Sequence, residues 1–69
     1  MPLTMMRTGD NAIIKRVGGK EEIRRFLESL GFVEGSDVKV VSETCGNVIV
    51  NIKESRVAIS KEMANKIMV

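Results

Sequence analysis

The sequence holds no histidine, no tryptophan and no tyrosine, and only one cysteine and one proline in its 69 residues. The missing histidine removes the commonest general base, the commonest transition-metal ligand and any Ser–His or Cys–His nucleophilic pair. The lone Cys45 cannot close an intramolecular disulfide, which fits a reducing, intracellular setting. It also has no CxxC partner, so the usual thiolate clip for a soft metal is missing. Phe26 and Phe32 are the only aromatic residues. Readers of single-stranded nucleic acid present exposed aromatic platforms along a basic groove, whereas both phenylalanines here are expected in the core; no nucleic-acid partner is expected. No apolar run approaches the roughly 20 residues of a membrane span, and no signal-peptide pattern opens the chain. A cytoplasmic protein is the expectation.

Charge is plentiful but nearly balanced, with 11 basic against 9 acidic residues and a net charge of +2. That balance does not point to a polyanionic partner. Lys15, Arg16, Lys20, Arg24 and Arg25 cluster in sequence, yet Glu21 and Glu22 lie among them. Glu21 and Arg25 stand at i,i+4 in the favourable order on a helix, and Arg24 and Glu28 in the reverse order. Such a run reads as a solvated, self-paired helix face.

The chain is one domain, residues 1–69, with no linker, repeat or low-complexity segment. Met1–Met6 is apolar, and Pro2 favours an extended lead-in. Ala12, Ile13, Ile14 and Val17 suggest a strand over Asn11–Val17, ended by Gly18-Gly19. A helix follows over about Lys20–Leu30. Ile23, Phe26, Leu27 and Leu30 give it an apolar stripe, and Gly31 suits a left-handed C-terminal cap. Phe32 and Val33 can then fold back on that stripe. From Asp37 the hydrophobic period becomes two: Val38 and Val40 share a face, and Val48, Val50 and Ile52 share the next. Glu43–Asn47 supplies the hairpin connection between them. Glu54-Ser55 turns into a third strand with Val57 and Ile59 inward. Ser60 can cap a helical turn over Lys61–Lys66, and Ile67–Val69 can add a last strand. These elements predict a mainly β fold, a small barrel of about five short strands with one inserted helix and a short C-terminal helical turn. The barrel edge near Val48–Lys53 is a candidate for pairing between copies, so a homo-oligomer is open.

Catalytic chemistry finds no constellation. Gly18-Gly19 precedes a helix, but neither a GxGxxG nor a Walker lysine–serine pair is present. Glu34 and Asp37 flank one turn and Glu43 stands near Cys45, which admits at most a weak divalent-cation site and no required cofactor. A packed domain without reactive groups reads as a non-enzymatic interaction module.

The spacing is nevertheless familiar. Leu3, Met6, Gly9, Ala12, Ile14 and Val17 resemble the opening of the FeoA family. IRRFLESLGFVEGSDVKVV is similar to that family's arginine-rich helix, its LG-hydrophobic-x-x-G turn and the V-x-V-V strand after it. Val57-Ala58-Ile59, Ala64, Ile67 and Val69 resemble its closing pattern. The likeness departs at Thr44–Asn47, which is short and lacks a Gly-Pro element, and at Glu54-Ser55, where a glycine is common. The resemblance implies an SH3-like barrel and an accessory role in bacterial ferrous iron uptake. The implied partner is the cytosolic GTPase domain of the FeoB transporter, so that contact with the membrane would be peripheral, through the partner. On that reading the docking residues are Arg24, Arg25, Glu28 and Glu34. The same fold resembles the C-terminal domain of iron-dependent repressors. That likeness implies an alternative, a ferrous iron carrier or sensor using Cys45 with Glu43 or Asp37.

Overall fold

Alternating valines set the architecture. The computed structural model describes residues 1–69, with β1 (Asn11–Ile13), β2 (Arg16–Val17), α1 (Glu21–Leu30), β3 (Asp37–Thr44), β4 (Asn47–Ile52), β5 (Ser55–Ser60), α2 (Lys61–Ala64) and β6 (Ile67–Met68) in chain order. β3, β4 and β5 form an antiparallel meander, and β1 adds to the outer side of β3, giving the strand order β1-β3-β4-β5. Val38 pairs with Ile52 and Val40 with Val50, while Val48 pairs with Ile59. All six of these side chains are buried, as the period of two requires when one sheet face covers a core.

The expected Asn11–Val17 strand is two strands with a corner between them. The Ile14 N–H donates to the Ser36 carbonyl at 2.9 Å, but the Lys15 N–H donates to that of Met68 at 2.7 Å. The chain thus leaves the four-stranded sheet after β1 and joins β6 as β2, in a separate two-stranded sheet. The expected barrel is therefore realised as two packed sheets, not as one closed ladder, because this strand changes sheets at a bend. The lead-in is also not extended throughout: Leu3–Met5 make a short 3-10 turn that buries Leu3 completely. Burial of Leu3 and Met6 in the common core outweighs the extended preference set by Pro2. The two ends of the chain lie together, with Pro2 bridged to Met68 and the Val69 N–H donating to the Met1 carbonyl at 2.8 Å.

α1 ends where the sequence placed its stop. Gly31 adopts φ +110° and donates its N–H toward the last turn, to Glu28, while Phe32 N–H reaches the Leu27 carbonyl at 3.0 Å. This turn swings Phe32 into the core, where it is fully buried. Leu27 is the only fully buried residue of α1; Ile23 and Leu30 are half-buried against the core. Phe26 corrects the expectation: it is 47% exposed. Leu27 takes the position directly over the core, and Phe26 lies about 100° round the helix from it.

The β3–β4 hairpin turns on Cys45-Gly46, with Gly46 at φ +96°, and Ser60 caps α2 by accepting from the Met63 N–H at 3.3 Å. A bulge between Val40 and Ser42 shifts the β3 register, so that Glu43 lies opposite the buried Val48 at the rim of the inner face. Its carboxylate reaches outward to Lys61 at 3.7 Å. β4 lies between β3 and β5, so the expected free edge at Val48–Lys53 does not exist; the edge strands of this sheet are β1 and β5.

Candidate docking groove beside helix α1

With Leu27 fully buried and Ile23 and Leu30 only half-buried, one flank of α1 stands off from β2. Between that flank and β2 lies an open groove of about 780 Å³. Val17 and Val33 form its accessible apolar part over the fully buried Phe32, and Gly18 and Gly19 its bare wall. Gly19 has φ +97°, and a Cβ there would come within 2.8 Å of the Lys66 side-chain stem. Glycine therefore keeps the chain close to β6 and leaves the wall of the groove without side chains.

Four charged side chains rim the groove: Arg16 from β2, Arg24 and Glu28 from α1, and Glu34 from the turn after it. Arg24 and Glu28 are one helical turn apart, and the Gly31 cap turns the chain so that Glu34 returns to the same side. None of these four takes part in an ion pair within the domain, where the pairs are Arg25–Glu21 and Lys61–Glu43. The rim is thus balanced, with two positive and two negative groups free to meet an outside partner. Balanced charge does not attract a polyanion. It suits a protein surface carrying both signs, where complementary pairs fix orientation.

The expected docking set is brought together in part. Arg24, Glu28 and Glu34 share the groove. Arg25 does not: its Nη2 donates to Glu21 Oε1 at 2.7 Å, on the solvent face of α1. Both side chains of that pair are more than two-thirds exposed, so it adds only about 0.3–0.5 kcal/mol. Arg16 is the groove residue that the sequence did not single out. Its signal was the glycine pair two positions on, which forces a tight turn from β2 into α1 and so sets Arg16 across from Arg24.

The expected metal-binding set does not converge. Cys45 is exposed at the β3–β4 turn, and Glu43 beside it is engaged by Lys61. Asp37 begins β3, six residues from Glu43, which is roughly 20 Å along a strand. There it lines a separate recess of about 430 Å³ with Lys39 and Lys53. No group of three or more Cys, Asp or Glu side chains comes together anywhere in the domain. No helix is long and apolar enough to cross a membrane.

Comparison with known proteins places this architecture. The family model described as the FeoA domain matches residues 1–69. The chain is 35% identical over 68 residues to a Methanocaldococcus jannaschii protein provisionally named Fe(2+) transport protein A, covering 99% of this chain and 83% of that one. Among solved structures, an iron uptake regulatory protein (FeoA) superposes with a TM-score of 0.89 at 31% identity, covering 97% of this chain and 91% of that one. Stenotrophomonas maltophilia FeoA, solved with zinc and described as an SH3 domain protein, gives a TM-score of 0.87 at 24% identity, over 99% of this chain and 87% of that one. A manganese-dependent transcriptional repressor shares the fold, with a TM-score of 0.89 at 23% identity, over 97% of this chain but 39% of the repressor. The SH3-like, mainly β architecture expected from the sequence is the architecture found. The chain belongs to the FeoA family, a family of Fe(2+) transport.

Proposed function

We propose that this domain is a non-enzymatic accessory of ferrous iron transport. It docks through the groove beside α1 on the cytosolic GTPase region of an FeoB-type transporter and acts in the cytoplasm. The observation that carries this reading is the rim of Arg16, Arg24, Glu28 and Glu34 around an apolar floor, none of the four being paired inside the domain. Unpaired charges of both signs around Val17 and Val33 have the composition of a protein–protein contact: an apolar centre within a polar rim. Membership of a family of Fe(2+) transport supports a transporter as the class of partner. The metal-carrier alternative gains no support from side-chain placement, since Cys45 and Asp37 belong to different ends of β3.

The test is an NMR titration of the labelled domain with the GTPase domain of its cognate transporter. Amide shifts are expected at Arg16–Gly19, Arg24, Glu28 and Phe32–Glu34. Arg24→Glu should weaken binding by about tenfold or more, the effect of losing about 1.4 kcal/mol at a charged contact. Arg25→Glu, on the solvent face of α1 and paired with Glu21, should leave affinity unchanged. Equal losses from both variants, or shifts that avoid the groove, would reject this docking face.

A further inference from the structure

We propose that β5 pairs through its outer edge with β5 of a second copy of this chain. The two four-stranded sheets would then join into one antiparallel sheet, about a two-fold axis centred on Ala58. The proposal does not depend on the docking groove and shares no residue with it.

β5 is the terminal strand of its sheet and pairs only with β4. Ile52 faces Ser55 across the two-residue turn Lys53-Glu54. In an antiparallel ladder closed by such a turn, hydrogen-bonded pairs recur at every second position. Ser55, Val57 and Ile59 therefore bond to β4, and the same side continues past the strand, where the Lys61 N–H donates to the Gly46 carbonyl at 3.1 Å. The main-chain N–H and C=O groups of Arg56 and Ala58 consequently point away from β4, along the open edge.

Natural sheets guard such edges with proline, a bulge, very short strands or a charge leaning over them. β1, the other edge of this sheet, is only three residues long. β5 has six residues, no proline and an unbroken register with β4. Its one charged residue is turned back over the sheet, where Arg56 Nε donates to Asn51 Oδ1 at 3.4 Å. Val57 faces inward opposite the buried Val50, yet remains half-exposed because no strand lies beyond it. An unguarded strand whose inward valine lacks a neighbour is built to be extended.

The sequence of β5 is complementary to itself in this register. Ala58 faces Ala58 at the axis, so the smallest side chain of the strand lies at the symmetric contact. Val57 faces Ile59 of the second copy and covers the inner face. Arg56 faces Ser60 of the second copy, two residues before its Glu62. Lys61 is already engaged by Glu43, and Glu62 forms no ion pair within its own domain. Neither Arg56 nor Glu62 has an ion-pair partner within its own domain, and the two-fold repeats their closeness in register at both ends of the contact. This charge match selects a second copy over an arbitrary strand.

The test is cross-linking in a Cys45→Ser background. Directly opposed residues of a hydrogen-bonded antiparallel pair have Cα atoms about 5.5 Å apart, inside the range a disulfide spans. Ala58→Cys should therefore form a covalent dimer under oxidised glutathione. Ser55→Cys should not, because its two copies lie about six residues apart along the strands, roughly 20 Å. Sedimentation of the unmodified chain at NMR concentrations should show a dimer. Ala58→Pro and Ala58→Lys should each be monomeric while keeping the β-sheet circular dichroism, since the Ala58 N–H is not used in the ladder with β4. A monomeric wild type with freely exchanging Arg56 and Ala58 amides overturns the proposal and leaves the edge to another protein's strand. Equal cross-linking of the Ser55→Cys and Ala58→Cys variants overturns the register.

Discussion

Leu27→Ala separates the one buried contact of α1 from the rest of its apolar stripe. Leu27 is fully buried, while its neighbour Phe26 is 47% exposed. Truncation removes three carbon atoms, about 2.4 kcal/mol at roughly 0.8 kcal/mol for each buried carbon. The cavity left behind raises the total to about 3–5 kcal/mol if the helix cannot settle. A domain of this size without disulfides holds only about 3–5 kcal/mol in all. The variant should therefore be largely unfolded, or nearly so, at 25 °C. Phe26→Ala should cost well under half as much, because much of the ring is already in water. Urea unfolding followed by far-UV circular dichroism measures both; the chain has no tryptophan or tyrosine to report by fluorescence. The two costs being equal, or a Leu27→Ala loss below about 1 kcal/mol, would show that α1 is not seated on Leu27 and that the groove beside it is misplaced.

Two further variants test the local devices that position these elements. Gly31→Ala should cost about 1–2 kcal/mol in the same unfolding assay, because φ +110° is strained for any side chain, although the added Cβ meets only ordinary contacts at 3.6 Å. Ser60→Ala removes the acceptor for the Met63 N–H and should cost about 0.5–2 kcal/mol, with Ser60→Asp restoring most of it.

The meander was legible because its information is local. Val38, Val40, Val48, Val50 and Ile52 alternate, and alternation fixes which face is buried without knowledge of the partner strand. The same holds for Gly31 and Ser60, whose conformations depend on the adjacent turn. What the sequence hid depends on distance in space. Ile23, Phe26, Leu27 and Leu30 form one stripe, but only the seat of the helix decides that Leu27 is at its centre and Phe26 at its margin. Arg24 and Arg25 are neighbours in sequence and about 100° apart round the helix, so one rims the groove and the other pairs with Glu21. Asp37 and Cys45 looked close enough for one site, yet an extended strand carries them to opposite ends. The corner at Ile14-Lys15 was invisible for a similar reason: its cause is β6, some fifty residues downstream, whose Met68 carbonyl takes the Lys15 N–H.

The groove and the β5 edge are separate surfaces that one assembly can use together. The groove is built from β2, α1 and the turn after α1, and the edge from Arg56, Ala58 and the start of α2. A partner in the groove and a second copy at the edge therefore do not compete for any residue, and a dimer would present two grooves in fixed relation. If the transporter's GTPase domains are themselves close together, the second docking event becomes intramolecular and gains the effective concentration set by that geometry. Ala58→Pro then distinguishes the two modes. With isolated GTPase domain it should bind as wild type does, since the groove is untouched. With the assembled transporter it should bind more weakly than wild type, and equal binding there would mean that the groove works alone.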